Sequence, residues 1–391
     1  MTAAMTIPAV LHPFSPLGRV NPVRAWAAVR AAGPGYRDPV TGMMLLTGYR
    51  ECRAALTDPA FSAASGQRQR ARDDELPPTM LTTDGLDHRR LREPVVAGWA
   101  ARATERNRPL VRGLAAAAVS ALPDRPPAGG LDLVSDFAEP FALAVLAGAL
   151  GLPAGELAAF GRLARAASPN LDPLLRGPAA EQAAAAGRRL EDYLLAQSRR
   201  ARAGGAPTDL AGLDWTAGLS GPERAALFAL LVVGGFEPLV ALLAATLVML
   251  WQHPAARPRP DADLLPAVID ETLRLHSPIP FTARVCTSDI TVGAVDIPAG
   301  TGVLAVICAA NRDPAVFVAP DEFRLDRAAG PGHLAFGGGS HFCLGAPLVR
   351  SATAAAVTAV VERYPGMAPA GDPRWSAGTV PRRIRALPVT W

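Results

Sequence analysis

The sequence predicts a mainly α-helical protein with small β-sheets. Helical patterns dominate residues 85–276, which are rich in Ala, Leu, Val and Arg. Between Arg284 and Ala310 the pattern changes to short β-branched runs separated by Gly and Pro turns, the signature of small sheets. No repeat or low-complexity linker divides the 391 residues, so the whole chain, 1–391, reads as one domain, length being only a soft guide to domain number.

The elements follow in order. Asn21-Pro22 offers a cap and a first-turn proline for a helix through Arg30. Tyr36 to Thr47 carries Asp-Pro and Thr-Gly turn signals around Met43-Met44-Leu45-Leu46, which predicts a hairpin. Helices are expected over Tyr49–Leu56, Asp87–Ala101, Thr104–Ala121, Leu133–Leu150, Ala154–Ala167 and Ala179–Ala203. Ser220-Gly221-Pro222-Glu223 has the Ser and Glu of a capping box. It opens the longest helix, which reads to Gln252 and would span roughly 45 Å. A helix over Leu264–His276 ends at Ser277-Pro278. After the sheet region, a closing helix to about Tyr364 precedes a Pro/Arg-rich tail with room for a last hairpin.

Composition limits the function classes. Half the residues are hydrophobic, 19% are charged, and the formal net charge is +4. That mild basicity is spread over many sites and forms no nucleic-acid tract. Every basic chain residue is arginine; GC-rich coding is the bland cause, and docking of an acidic electron-transfer protein is the functional one. Met1 to Pro22 lacks the charged start and apolar run of a signal peptide or anchor. Ala225 to Trp251 is long and apolar enough to span a bilayer. Glu237 and Pro238 at its middle make a helix buried in a globule the better reading. Cys52, Cys286 and Cys308 are isolated, with no Cys-x-x-Cys spacing, and read as core thiols in a reducing, cytoplasmic setting.

Cys343 is different. It lies in Phe336-Gly337-Gly338-Gly339-Ser340-His341-Phe342-Cys343-Leu344-Gly345, a glycine-rich loop before a helix expected to start near Leu344. Glycines permit tight turns and close approach, and the free N–H groups and dipole of the helix start favour a thiolate. The segment resembles the haem-binding signature of the cytochromes P450, Phe-Gly-x-Gly-x-His-x-Cys-x-Gly. Glu271-Thr272-Leu273-Arg274 resembles the family's structural Glu-x-x-Arg element. His88 and Arg92, Arg284, and His341 match family positions that contact the haem, and cationic donors suit its propionates. Segments such as Leu56–Pro59, Ile297–Gly300 and Asn311–Pro314 resemble recurring family segments in order, so the likeness covers nearly the whole chain.

Gly234-Gly235-Phe236-Glu237-Pro238 aligns with the family's oxygen-binding pattern, in which a threonine follows the acid. Here that position is Pro238. The two glycines would let the helix backbone approach a small ligand on the metal, and Glu237 keeps the acid. Proline removes both a hydroxyl and an N–H, costs an ordinary helix about 3 kcal/mol, and predicts a kink.

The resemblance implies a cytochrome P450 fold with haem b between the long helix and the Cys-loop helix, and Cys343 on the metal with Phe336 and Gly337 beside it. A thiolate ligand favours cleavage of a bound O–O bond. It also implies oxidation of an organic small molecule, a natural-product intermediate, in the cytoplasm. Electrons would come from a ferredoxin and its reductase, because no fused reductase fits in this length. The substrate would arrive free or on a carrier protein. Its pocket is expected to draw on Gln67–Thr83, Pro169–Arg176, Leu230–Leu239, Ile279–Thr282 and Gly378–Pro381, with Phe236, Ile279, Phe281 and Thr282 favouring an apolar or aromatic molecule. Loss of the threonine opens two alternatives: coupling, cyclisation or desaturation without oxygen insertion, and a peroxide-driven peroxygenase. A non-enzymatic binding relative would be expected to lose the cysteine.

Overall fold

The computed structural model describes residues 7, 12–64, 78–97, 107–127, 130–203, 218–256, 264–327, 330–376 and 378–391. Helix α1 (Pro22–Ala31) starts on Asn21, whose side chain accepts from Arg24 N–H. Strands β1 (Gly35–Arg37) and β2 (Met44–Leu46) form the expected antiparallel hairpin. Helix α2 (Tyr49–Thr57) and strand β3 (Phe61–Ser62) follow. Helices α3 (Gly85–Val95) and α4 (Asn107–Ser120) cover the described parts of two expected helices; residues 98–106 lie outside the described residues. Strand β4 (Leu131–Asp132) and a π-helical stretch, Val134–Ala138, precede α5 (Glu139–Leu150). Helices α6 (Leu157–Ala167) and α7 (Pro178–Ala203) come next.

Helix α8 (Gly221–Gln252) is the axis of the molecule, and its capping box is formed in both directions between Ser220 and Glu223. It is unbroken across Pro238. The helix tolerates the proline because burial outweighs it: fully buried Leu227, Phe228, Val232, Phe236, Leu242 and Leu243 each contribute about 1.5–3 kcal/mol, against a cost of about 3 kcal/mol. It is long and apolar enough to cross a membrane, yet 78% of its most apolar window is buried in the protein. That matches a core helix that is hydrophobic all round.

Helix α9 (Leu265–Leu275) leads to β5 (Thr282–Cys286), β6 (Ile290–Val292), β7 (Val295–Ile297) and β8 (Gly302–Ala305). The run of strands stops earlier than expected, since Ile307–Ala310 is a helical turn. Helix α10 (Ala346–Arg363) begins two residues after the expected start. The tail forms β9 (Ala368–Pro369), β10 (Arg374–Trp375), β11 (Ile384–Ala386) and β12 (Pro388–Thr390). β10 and β11 make the last hairpin.

The main sheet has the order β1-β2-β8-β5-β3, with β2 and β8 parallel and the other pairs antiparallel. The largest apolar core surrounds α8 and takes side chains from α4, α5, α7 and α10. A second core lies under the sheet and α2, and a third joins α1 to β5 and β8.

Candidate functional site

The cysteine loop is shaped by Gly337 and Gly339, at φ 74° and 62°, where L side chains are strained. A Cβ on Gly339 would also lie 2.8 Å from the carbonyl oxygen of Leu56, so α2 fixes how closely the loop can seat. The Cys343 N–H donates to Phe336 O at 2.9 Å, closing the loop on itself. Arg350 of α10 lies over the Phe336 ring, 4.6 Å from its centroid. Burial pushes the Cys343 thiol up, opposed by hydrogen bonds from the Gly345 and Ala346 N–H groups and by the Arg92 and Arg350 charges. Burial wins in the isolated chain; a coordinating metal deprotonates a thiol outright.

His88, Arg92, Arg284 and His341 gather around this loop. The His88 and His341 rings lie 4.2 Å apart. Arg92 donates from Nη2 to Phe342 O, next to the cysteine. Arg284, 4% exposed, donates among the described residues to Ala283 O at 2.8 Å and Thr282 Oγ1 at 3.2 Å, and burial lowers its pKa to about 10. Asp84 positions the group: it accepts from Ser62 Oγ at 2.6 Å and lies 3.4 Å from His341 Nε2. Sequence reasoning did not single out Asp84. Its place as the N-cap of α3 was the available signal.

These residues fit a group bearing two carboxylates and a metal. His88 Nε2 is buried with no hydrogen-bond partner among the described residues, a costly arrangement unless a ligand supplies one. Arg92 and Arg284 have no carboxylate partner among the described residues, and both are partly or fully buried. On α8, a Cβ added at Gly234 would meet no atom within 4 Å, so the backbone there admits a close neighbour. Gly235 serves a different purpose from the one expected. A Cβ there would lie 2.8 Å from Leu146 Cδ2, so its missing side chain lets α8 pack on α5.

Glu237 is 6% exposed and held by Arg383, whose Nε lies 2.5 Å from Oε2. Arg383 also pairs with Glu139 at 2.9 Å, and Glu139 with Arg165 at 2.9 Å. Burial raises the Glu237 pKa, Arg383 opposes it and Glu139 reinforces it. This four-member network joins α5, α6, α8 and the tail. It was not legible in the sequence, because its members are up to 244 residues apart.

Two residues expected to line the pocket, Phe236 and Phe281, are buried. Phe236 is 0% exposed within the main core, with the Arg165 guanidinium 6.0 Å from its ring centroid. Phe281 is 1% exposed and packs edge-on against Phe14 and Trp26. Ile279 and Thr282 are half-buried. Residues 67–77 of the expected pocket lie outside the described residues.

Glu271 and Arg274 form the buried pair that the sequence suggested, with Arg327 Nε also on Glu271 at 2.8 Å. Asn311 joins this network to the cysteine loop by accepting from Leu334 N–H at 2.7 Å.

The family model for cytochrome P450 matches residues 243–376. The cytochrome P450 monooxygenase PikC of Streptomyces venezuelae is 33% identical over 390 residues, covering 95% of this chain and 91% of PikC. The chain belongs to the cytochrome P450 family. A second relative of this P450, biflaviolin synthase of Streptomyces coelicolor, is 33% identical and covers 95% of the chain and 97% of its own length. Among solved structures, P450BioI in complex with hexadec-9Z-enoic acid ligated acyl carrier protein matches with a TM-score of 0.85 and 27% identity. That match covers 96% of this chain and 99% of P450BioI. The P450 is therefore an oxidoreductase whose cofactor is iron protoporphyrin IX, and its fold is the family's.

Burial of His276 is expected to make the P450 acid-sensitive. His276, beside Arg312 and Arg382, is driven by burial and those charges down to about 3. Between pH 6.5 and about 3 the unfolded chain binds a proton there that the native chain does not, so stability falls as pH drops through that window. His276→Gln is expected to flatten the dependence of urea-unfolding free energy on pH between 6.5 and 4. An unchanged slope would show that His276 titrates normally.

Proposed function

We propose that this P450 is a haem-thiolate monooxygenase acting on an organic small molecule of a bacterial natural-product pathway. The observation that carries the proposal is the gathering of His88, Arg92 and Arg284, without carboxylate partners among the described residues, beside the loop that presents Cys343. In this reading Cys343 sulfur binds the iron, and Arg92, Arg284 and His88 hold the propionates, with His341 packed behind His88. When bound, the haem supplies O2 activation with two electrons. The Gly345 and Ala346 N–H groups donate to the sulfur and moderate its negative charge. The whole chain acts as one domain in the cytoplasm, and electrons come from a ferredoxin and its reductase docking on the arginine-rich surface.

Proton delivery departs from the family pattern. Pro238 offers no hydroxyl, and Glu237 is held by Arg383. The proton therefore comes from Glu237 through water or from a group on the substrate. Pro238→Thr is expected to change the coupling of electron consumption to product by less than about tenfold, against the ~10²–10⁴-fold that a positioned donor supplies. A larger gain, measured as product formed per NADPH oxidised, would show that proton delivery limits the natural reaction.

Oxidative coupling is the second reading, favoured by Pro238 together with the biflaviolin synthase likeness. Turnover under isotopically labelled O2 with ferredoxin and reductase separates the two: label in the product supports insertion, and an unlabelled product supports coupling. Free and carrier-bound forms of one substrate, compared for turnover, test delivery by a carrier protein, for which the P450BioI complex is the precedent.

A further inference from the structure

A cavity distinct from the cysteine site opens between α1, Pro280–Phe281 and the tail turn at Gly378–Thr379. None of His88, Arg92, Arg284, His341 or Cys343 lines it. Its volume is about 50 Å³, and Arg19, Arg30, Arg312 and Arg382 line it with no acidic side chain among them. Arg19 and Arg30 spend their guanidiniums on the backbone carbonyls of Phe14 and Ala309, at 3.1 and 3.3 Å. Arg382 reaches Arg19 O at 3.3 Å and lies over Trp375, 4.3 Å from the ring centroid. Only Arg312 has a carboxylate, Asp321 at 2.7 Å, among the described residues. The chain before Asp38 contains no acid at all, so the N-terminal segment brings no countercharge.

The other groups on the wall are not anions at neutral pH. Burial holds the Cys308 thiol up at about 12 and His276 down at about 3. Arg19, Arg30 and Arg382 have no carboxylate partner among the described residues, and like charges sharing one space repel each other and favour an incoming anion. Facing them is an apolar wall of Phe14, Trp26 and Phe281, packed edge-to-face at 5.6–6.2 Å.

We propose that this cavity is a second binding site, for the carboxylate of a small amphiphilic acid, with Arg382 and Arg30 on the acid group and Trp26 and Phe14 on its apolar stem. A carboxylate matches the guanidinium fork; the cavity's volume seats the acid group, and its open side leaves the stem to run outward along the aromatic wall. The site also touches the tail turn. Thr379 on its wall donates from Oγ1 to Asp172 at 2.6 Å, tying the turn to the loop before α7. Arg383, one residue beyond Arg382, holds Glu237. An acid bound at Arg382 thus bears on the segment that fixes the acid of α8.

The test is titration of hexanoate into the haem-loaded protein, with hexanamide as the neutral control, followed by calorimetry and tryptophan emission. An azole bound to the iron blocks the substrate pocket throughout. Hexanoate is expected to bind with the azole present, and hexanamide at least about tenfold more weakly. Arg382→Gln is expected to weaken hexanoate about tenfold or more, the loss of a charged hydrogen bond. The reduced carbon monoxide spectrum checks that each variant is folded. Arg30→Gln, on a helix end, is a second variant with a smaller expected loss, and it serves if Arg382→Gln does not fold. Equal binding of hexanamide, unchanged binding by both variants, or loss of hexanoate binding once the azole is present would each overturn the proposal.

Discussion

Cys343→Ser is expected to abolish the thiolate signature in the spectrum of the reduced carbon monoxide complex, and to reduce turnover to background. Haem binding should weaken without being lost, because His88, Arg92 and Arg284 belong to α3 and β5 and are untouched by the change. The surroundings of the sulfur explain why oxygen cannot replace it. Gly337 and Gly339 set the loop, the Cys343 N–H closes it on Phe336, and two N–H groups and two guanidiniums bear on the sulfur. These donors compensate the charge of a polarisable thiolate. A serine hydroxyl is far less acidic, stays protonated, and donates little electron density to a metal. A variant that keeps the thiolate spectrum would place the ligand on another residue.

Glu271→Ala is expected to cost about 3–5 kcal/mol of unfolding free energy, the penalty of leaving one member of a buried pair alone. Arg274 is 2% exposed and uses its remaining donors on Asn311 O, Pro320 O and Glu322 O at 2.6–2.8 Å. Without Glu271 that cation stays buried with carbonyls only, and the Arg324 and Arg327 contacts to the same carboxylate are lost too. Against a typical total of about 5–15 kcal/mol, the variant should yield little haem-loaded protein. Burial alone would raise the Glu271 pKa, but the hydrogen bonds from Arg274, Arg324 and Arg327 bring it below the usual carboxylate value. Its stabilisation is therefore full above the unfolded pKa and lost as pH falls through the folded one. Urea denaturation of wild type and variant measures the difference; a loss below about 1 kcal/mol would mean that the network is dispensable.

Local signals made much of the fold legible. The Ser220–Glu223 capping box, the Asn21 cap and the hairpin at 35–46 each depend on residues a few positions apart, and each forms where the sequence placed it. The cysteine loop was equally local, a run of ten residues. Partnerships across the chain were not legible. β12 pairs with β4, with Pro388 opposite Asp132 far earlier in the sequence, and Asp84 meets His341 across 257 residues. Periodicity suggested which residues were apolar but not what each would pack on: Phe236 lies in the main core, and Phe281 packs against Phe14 and Trp26.

By itself the sequence determined the helical class, the buried central helix and a sulfur held in a glycine turn before a helix, because spacing within one element fixes caps, faces and turns. Only the tertiary structure decided that Gly235 makes room for Leu146, that Arg383 holds Glu237, and that arginines from α1, the segment after β8 and the tail share one cavity. Such contacts arise where distant segments pack, and side chains meet there for reasons of shape and charge that no local pattern records.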